Sequence, residues 1–248
     1  MEAIYPLIFL VAMAYSSVGH GGASGYLLVL ALLGFAPAQM APSALVLNLL
    51  VSGVAFIAYW RAGYFVPRLF WPFALASVPA AFLGGILEVS PKLYSGLLAA
   101  AILFSALRLL TVKDRCEEQN DLSSPPLHLA LPIGACIGLL SGLIGIGGGI
   151  FLSPVLILLR WADAKRAAAA SACFIWVNSL AGLYGHSARN VLDAGQLGPL
   201  VLAAFLGGLI GSHLGARRLG GAALCRVLAS VLAMAAVKLL GRAIAYAG

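Results

Sequence analysis

Two clusters of glycine interrupt otherwise apolar stretches of the chain, and their spacing suits the binding of an anion. The first stretch reads VGHGG and the second GIGGGI; their candidate ligand-binding residues are Gly19, His20, Gly21 and Gly22, and Gly145, Gly147, Gly148 and Gly149. Glycine in a helix interior costs about 1 kcal/mol relative to alanine, so clustered glycines predict a helix break. The half-helix after a break begins with unpaired N–H groups and a positive dipole end, which attract anions. We therefore predict that the two clusters face each other and form one central anion site.

Two asparagines complete the candidate substrate site. Asn48 and Asn178 each lie in the apolar segment that follows a glycine cluster, at equivalent places. Polar groups inside a membrane are unfavourable in lipid and often mark a transport pathway. Hydrogen bonding between helices is the alternative for both asparagines, and their equivalent places in the two halves favour the functional interpretation. His20 has three candidate roles, which are to bind the ligand, to carry a proton, or to make a local hydrogen bond.

Close packing of helices is the other common use of glycine in membrane proteins. We assign that role to Gly84, Gly85, Gly207 and Gly208, which lie in the third apolar segment of each half. The two glycine clusters differ because each lies inside an apolar segment that is too long for one membrane helix. That position favours a break in the helix, which is tolerated where it is buried in protein or lines a cavity.

The placement of acidic residues indicates an anionic substrate and argues against an enzyme. All eight acidic residues fall at segment ends or in loops, so no carboxylate is placed where it would repel a buried anion. The sequence has neither a paired-acid protease site nor a His-Glu-x-x-His motif. It therefore predicts no enzymatic activity, no cofactor and no metal site.

The composition is that of a membrane protein. Of the 248 residues, 62% are hydrophobic and 9% are charged, against about 25% charged in a typical soluble domain. The apolar runs are long and do not alternate with polar residues, which predicts an all-α polytopic fold and not a transmembrane barrel. The net charge of +7 comes from basic residues near helix ends, so no nucleic-acid partner is predicted. We expect a multi-pass protein of the cell (inner or plasma) membrane.

Two halves of the chain resemble each other. A polar linker, residues 111–126, separates a first repeat, residues 1–110, from a second, residues 127–248. Each half has a glycine cluster, an asparagine, the sequence AAFLGG and a basic residue before two leucines, in that order. The shared order predicts an internal duplication, which is common in secondary transporters.

The first apolar segment of each half is too long for a single crossing. The eight predicted segments run about Ile4–Phe35, Met40–Trp60, Leu69–Leu87, Leu93–Leu110, Leu127–Trp161, Ala167–Gly185, Leu197–Leu214 and Ala222–Ile244. The 32 residues of the first would make a helix ~48 Å long, against ~30 Å of hydrocarbon. Either the long segments tilt, or they fold back as hairpins at their glycines.

The fifteen Lys and Arg residues distinguish these two topologies. Eight alternating spans would place eight of them on one side of the membrane and seven on the other. Two hairpins would place eleven on one side and four on the other. Because cytoplasmic loops carry an excess of Lys and Arg, the second distribution is favoured. We therefore predict an inverted repeat with both termini outside and the linker in the cytoplasm.

These motifs resemble those of the sulfite exporter TauE/SafE family of membrane transporters. The resemblance rests on the paired glycine motifs, the Ala-Gly-rich third segments and the run GSHLGAR, and it covers nearly the whole chain. It implies export of sulfite, other small sulfur oxyanions or organosulfonates. The first motif departs from the second at His20 and at Ala23, which stands where the second has a third consecutive glycine.

Two other functions remain as alternatives. Glycine-lined breaks also build channel filters, so an anion channel is one. A membrane accessory subunit without transport of its own is the other. The expected partners are a small anion and the lipid bilayer, and a homodimer is compatible with the sequence.

Overall fold

The structure, a computed structural model, describes residues 4–32, 35, 37–87, 90, 93, 96, 123–187, 194–224, 226, 227 and 230. The described residues contain helices and no β-strand, as the composition predicts. The main helices are α1 (Ile4–Ser16), α2 (Ala23–Leu32), α3 (Pro37–Arg61), α4 (Trp71–Ile86), α5 (Leu127–Ile144), α6 (Gly149–Leu158), α7 (Ala164–Ser187) and α8 (Ala194–Arg217). Most of the predicted linker and of the fourth segment in each half lies outside the described residues.

Four of the described helices have the length and the apolar composition needed to cross a membrane. They run Gln39–Arg61, Leu127–Ile144, Ala164–Ser187 and Leu197–Arg217. Helices α1, α2, α4 and α6 are also apolar but shorter. At 1.5 Å per residue, the 10 residues of α2 or of α6 span about 15 Å, half of the hydrocarbon core. The fold is that of a polytopic helical membrane protein.

Two rows of glycines, each with a spacing of four residues, bring pairs of helices into backbone contact. Helix α5 packs on α4 and helix α8 packs on α1. The rows are Gly134, Gly138 and Gly142 on α5, which face Phe73, Ser77 and Ala81, and Gly207, Gly211 and Gly215 on α8, which face Phe9, Met13 and Ser17. A Cβ atom at any of these glycines would overlap a main-chain carbonyl oxygen of the facing helix. The small residues therefore permit the close approach that drives helix association in lipid.

The four glycines expected to serve packing also lie against other helices. Gly84 faces the backbone of α5 near Leu139, and Gly85 faces Gly182 of α7. Gly207 faces the backbone of α1, and a Cβ on Gly208 would lie 3.2 Å from Val51. These contacts agree with the packing role expected for all four.

The contacts between α3 and its neighbours give the helix directions. Leu45 lies beside Gly182 and Gly53 beside Trp176, so α3 and α7 run antiparallel. Val51 lies beside Gly208, and the side chain of Tyr59, two turns further along α3, reaches Gly215 of α8. Helices α3 and α8 therefore run parallel, and both end at an arginine.

Helix α4 runs parallel to α7. Ser77 donates a hydrogen bond to Asn178, and further along both helices Gly85 meets Gly185. The α4 helix thus joins the central pair of α3 and α7, which carry the two candidate asparagines near their middles.

Candidate functional site

The polypeptide leaves the helical conformation at both glycine clusters. Helix α1 ends at Ser16 and α2 begins at Ala23, and α5 ends at Ile144 while α6 begins at Gly149. The left-handed backbone angles explain why glycine is needed; φ is +73° at Gly19, +100° at Gly22, +82° at Gly145, +79° at Gly147 and +83° at Gly148. Residues with a Cβ rarely adopt such angles. The clusters therefore supply the turns that separate α1 from α2 and α5 from α6.

Each break is held against a helix of the other half of the chain. A Cβ on Gly19 would overlap the backbone of Ala168 in α7, and a Cβ on Gly145 would lie 2.8 Å from Cα of Ala41 in α3. The remaining cluster glycines are also enclosed, since a Cβ on Gly148 would lie 2.8 Å from Ile137 and one on Gly149 would lie 2.5 Å from Cγ1 of Ile175. Glycine thus permits the backbone of each break to reach its neighbour.

The two breaks meet at Asn48 and Ile175. A Cβ on Gly21 would overlap Oδ1 of Asn48 and lie 3.2 Å from Cγ2 of Ile175. A Cβ on Gly147 would lie 2.9 Å from Nδ2 of Asn48 and 2.7 Å from the same Cγ2. Asn48 and Ile175 lie near the middles of α3 and α7. Gly21 and Gly147, one from each cluster, thus contact the same two side chains.

The amide of Asn48 ties the first half of the chain to the second break. Its Nδ2 donates a 3.0 Å hydrogen bond to the carbonyl oxygen of Ile146. Its Oδ1 accepts no hydrogen bond from any residue that the structure describes. Asn48 is fully buried, so this oxygen is a buried polar atom beside the meeting point of the two breaks.

A chain of three buried side chains ties the first break to the second half. Nε2 of His20 lies 3.0 Å from Oγ of Ser153, and that hydroxyl donates a 2.7 Å bond to Oγ of Ser171. Because Ser153 donates to Ser171, its oxygen is the acceptor for an N–H at Nε2 of His20. Nδ1 of His20 is then an acceptor, and within the described part of the chain it has no partner.

A small cavity lies between the breaks and is lined from both halves. Its volume is about 10 Å³, and its walls include Tyr15, His20, Ser24, Ile150 and Ile175. A cavity of this size holds about one water molecule. None of its lining residues carries a carboxylate.

The first turns of α2 and α6 border this cavity. The amide N–H groups of Ala23, Ser24, Gly149 and Ile150 belong to these first turns, where a helix offers its own amides no acceptor. These groups are the unpaired donors that every helix has at its N-terminus. The two helices therefore bring amide donors and the positive ends of their dipoles to one buried place.

The side chain of Asn178 contacts helix α4 and not the glycine breaks. Its Oδ1 accepts a 2.9 Å bond from Ser77 of α4, and its Nδ2 donates a 2.9 Å bond to the carbonyl oxygen of Phe174. The structure thus brings Asn48 together with the glycine clusters, and it places Asn178 in a satisfied contact between α7 and α4. Its inclusion in the substrate site stays a prediction.

The sequence reasoning did not select several residues that the structure places at this site. Ser153 lies 3.0 Å from Nε2 of His20, and its hydroxyl donates a hydrogen bond to Ser171. Tyr15, whose hydroxyl lies 2.7 Å from Oγ of Ser24, borders the cavity. Ser153 lies one helical turn after the second glycine cluster, and this position could have identified it from the sequence. Ser171 and Tyr15 are isolated residues in apolar helices, and no sequence pattern marks them.

Together these features define a polytopic helical membrane protein with a buried polar site between two helix breaks. A family model described as "Sulfite exporter TauE/SafE" matches residues 4–239. The chain therefore belongs to this family of membrane transporters, and the resemblance inferred from the glycine motifs is confirmed.

Two curated relatives are also membrane proteins by name. The chain is 36% identical over 234 residues to the probable membrane transporter protein y4hK of Sinorhizobium fredii, which covers 94% of this chain and 95% of the relative. It is 30% identical over 99 residues to the probable membrane transporter protein YunE of Bacillus subtilis, covering 38% and 36% of the two chains. No solved structure matches the chain.

Proposed function

We propose that this transporter exports a small sulfur oxyanion, sulfite or an organosulfonate, and binds it between the two glycine breaks. The observation that carries the proposal is the meeting of Gly21 and Gly147, from opposite halves, at Asn48 and Ile175. The family description names sulfite export, and this supports the choice of substrate class.

The chemistry of the site favours an anion. The helix N-termini of α2 and α6 offer amide N–H groups and positive dipole ends. Nδ2 of Asn48 and the hydroxyl of Ser179 add donors beside Gly147. A cation would need carboxylates or clustered carbonyl ligands, and the cavity lining contains no carboxylate.

We further propose that the halves form an inverted repeat with a hairpin at each glycine cluster. In eight alternating spans, α3 and α7 would be the second and sixth crossings and would run in the same direction. Their antiparallel contacts favour hairpins instead, as do the parallel contacts of α3 with α8. Helix α1 packs on α8, and α5 packs on α4. The first helix of each half therefore packs on the third-segment helix of the other half, as expected for an inverted duplication.

The enclosed cavity points to a transport step in which helices separate. A space of about 10 Å³ does not admit an oxyanion with several heavy atoms. We propose that the site opens by moving the hairpins away from α3 and α7, which breaks the bonds from Asn48 to Ile146 and from Ser153 to Ser171. An inside-negative potential would favour efflux of a monoanion by about 2.3 kcal/mol per 100 mV, so uniport suffices for export from the cytoplasm across the cell membrane.

Flux in proteoliposomes tests this function. Purified protein is reconstituted, a potassium gradient with valinomycin sets the potential, and sulfite, sulfate, sulfoacetate and a neutral control are offered. Saturable movement of one sulfur oxyanion that follows the potential is the expected result. Fast flux that does not saturate would indicate an anion channel and not a carrier. If correctly inserted protein moves no anion, the accessory-subunit function is favoured.

A further inference from the structure

A second cavity lies between the C-terminal turns of α3 and α8. Its volume is about 260 Å³, far larger than the cavity at the glycine breaks. On α3, Ser52 and Tyr59 are fully buried, whereas the lining residue Ile57 is 45% exposed. The cavity is therefore on the lipid side of α3, on the opposite face from the buried polar site.

The two walls of this cavity change from apolar to basic in the same direction. On α3 the lining passes from Val54 and Ile57 to Arg61, and on α8 it passes from Leu209, which is 42% exposed, to Arg217. Because α3 and α8 run parallel, both arginines lie at one end and both apolar stretches lie deeper. A phospholipid has this same order, with a charged headgroup above an acyl chain.

The basic end has charge to offer to a ligand. Arg61, Arg217 and His213 line it, and no Asp or Glu is among the lining residues. The one ion pair within the described residues joins Arg166 to Asp163, so neither arginine is paired with a carboxylate in this part of the chain. Guanidinium groups bind phosphate oxygens in a bidentate manner and lose little when they leave bulk water.

We propose that this cavity is a binding site for an anionic glycerophospholipid, with the phosphate at Arg61 and Arg217 and an acyl chain along Ile57 and Leu209. Basic pockets between membrane helices are known sites for anionic headgroups, and the end of a helix is at the correct depth for one. The proposal concerns the lipid surface alone and holds whatever the transported substrate is.

Native mass spectrometry of the purified protein, titrated with phosphatidylglycerol or phosphatidylcholine, tests the site. The double variant Arg61→Gln/Arg217→Gln is expected to bind phosphatidylglycerol about 25-fold more weakly, roughly fivefold for each arginine. The matched control is Arg68→Gln/Arg218→Gln, which also removes two exposed arginines, one in the turn between α3 and α4 and one directly after α8, but none that lines the cavity. The control is expected to retain wild-type affinity.

Two further arms separate the lipid from other occupants. Ile57→Trp keeps all charges and fills the apolar part, so it should weaken binding of the lipid but not of soluble glycerol phosphate. Equal binding of phosphatidylcholine, or equal loss in both double variants, would overturn the proposal. So would tight binding of glycerol phosphate alone, or a dimer that disappears in the Arg61→Gln/Arg217→Gln variant, because the occupant would then be a free anion or a second copy.

Discussion

Asn48 is the residue on which the two breaks depend most directly. It lies against Gly21 and Gly147 and binds the carbonyl oxygen of Ile146. Removal of one partner from a buried hydrogen bond costs about 1–3 kcal/mol because the other group stays buried and unpaired. The packing and the polar bond at this position therefore both favour the closed arrangement of the second break.

Asn48→Leu is expected to lower thermal stability and oxyanion flux, since it leaves the Ile146 carbonyl without its donor. Ser52→Ala is the matched control one turn further along α3. The hydroxyl of Ser52 has no hydrogen-bond partner among the described residues, so its removal should leave the melting temperature unchanged or raised. A thermal-shift assay and the proteoliposome assay measure both variants. Equal stability of Asn48→Leu and wild type would contradict a role for this amide in holding the break.

The glycines of the clusters can be tested against a glycine with the same backbone strain. Gly147 has φ +79° and is enclosed by Ile175, Asn48 and Ser179, whereas Gly63 has φ +84° and nothing within 4 Å of a Cβ position. We expect Gly147→Leu to abolish flux and Gly63→Leu to keep most of it, because only the first fills the meeting point of the breaks. Gly21→Leu should behave like Gly147→Leu without strain from a positive φ. If the Gly21→Leu variant inserts normally and transports at the wild-type rate, the substrate does not bind at the glycine clusters.

At the scale of the helices, the glycine rows decide which elements pair. Gly138 lies against the main chain of Ser77, while Gly198 is exposed on α8 with nothing within 4 Å of a Cβ position. Alanine in place of glycine improves intrinsic helix propensity by about 1 kcal/mol, and at Gly198 the following Pro199 offsets part of this gain. A loss of stability at Gly138 beyond that at Gly198 therefore reports its packing against α4.

Gly138→Ala is expected to destabilise the protein, since the α4–α5 contact must open to admit the methyl group, whereas Gly198→Ala should be neutral or stabilising. The measurement is thermal unfolding of each purified variant in the same detergent. Stabilisation of both variants to the same extent would show that the α4–α5 interface tolerates separation. If Gly134→Ala lowers the unfolding temperature less than Gly138→Ala does, the helices are in closer contact at Gly138 than at Gly134.

At the scale of the whole molecule, the proposed inverted repeat makes a sidedness prediction. Single cysteines in a background without the four native cysteines are placed at Gly63, Gly220 and Ser187, at the ends of α3, α8 and α7. Because α3 runs parallel to α8 and antiparallel to α7, the first two should react with an impermeant maleimide from the cytoplasmic side. The third should react from the opposite side. Eight alternating spans would instead separate Gly63 from Gly220.

The sequence by itself determined the membrane class, the family and the position of both helix breaks. Composition suffices for the membrane class, because a protein surface with so few charged residues is stable in lipid and not in water. The breaks follow from local chemistry, since only glycine adopts the positive φ values found at Gly19, Gly22, Gly145, Gly147 and Gly148 at little cost. Excess basic charge on one side likewise favoured hairpins before any contact was known.

Only the tertiary structure decided which polar residues meet. Asn48 and Asn178 hold matching places in the proposed repeat, yet one lies at the breaks and the other binds Ser77 of α4. Ser153, Ser171 and Ile175 reach the site because distant helices cross there, and the cavity of Arg61 and Arg217 exists because α3 and α8 run side by side. Local sequence fixes backbone conformation through short-range sterics, but the partner of a buried side chain depends on how separate helices pack together, and most of these helices are far apart in the sequence.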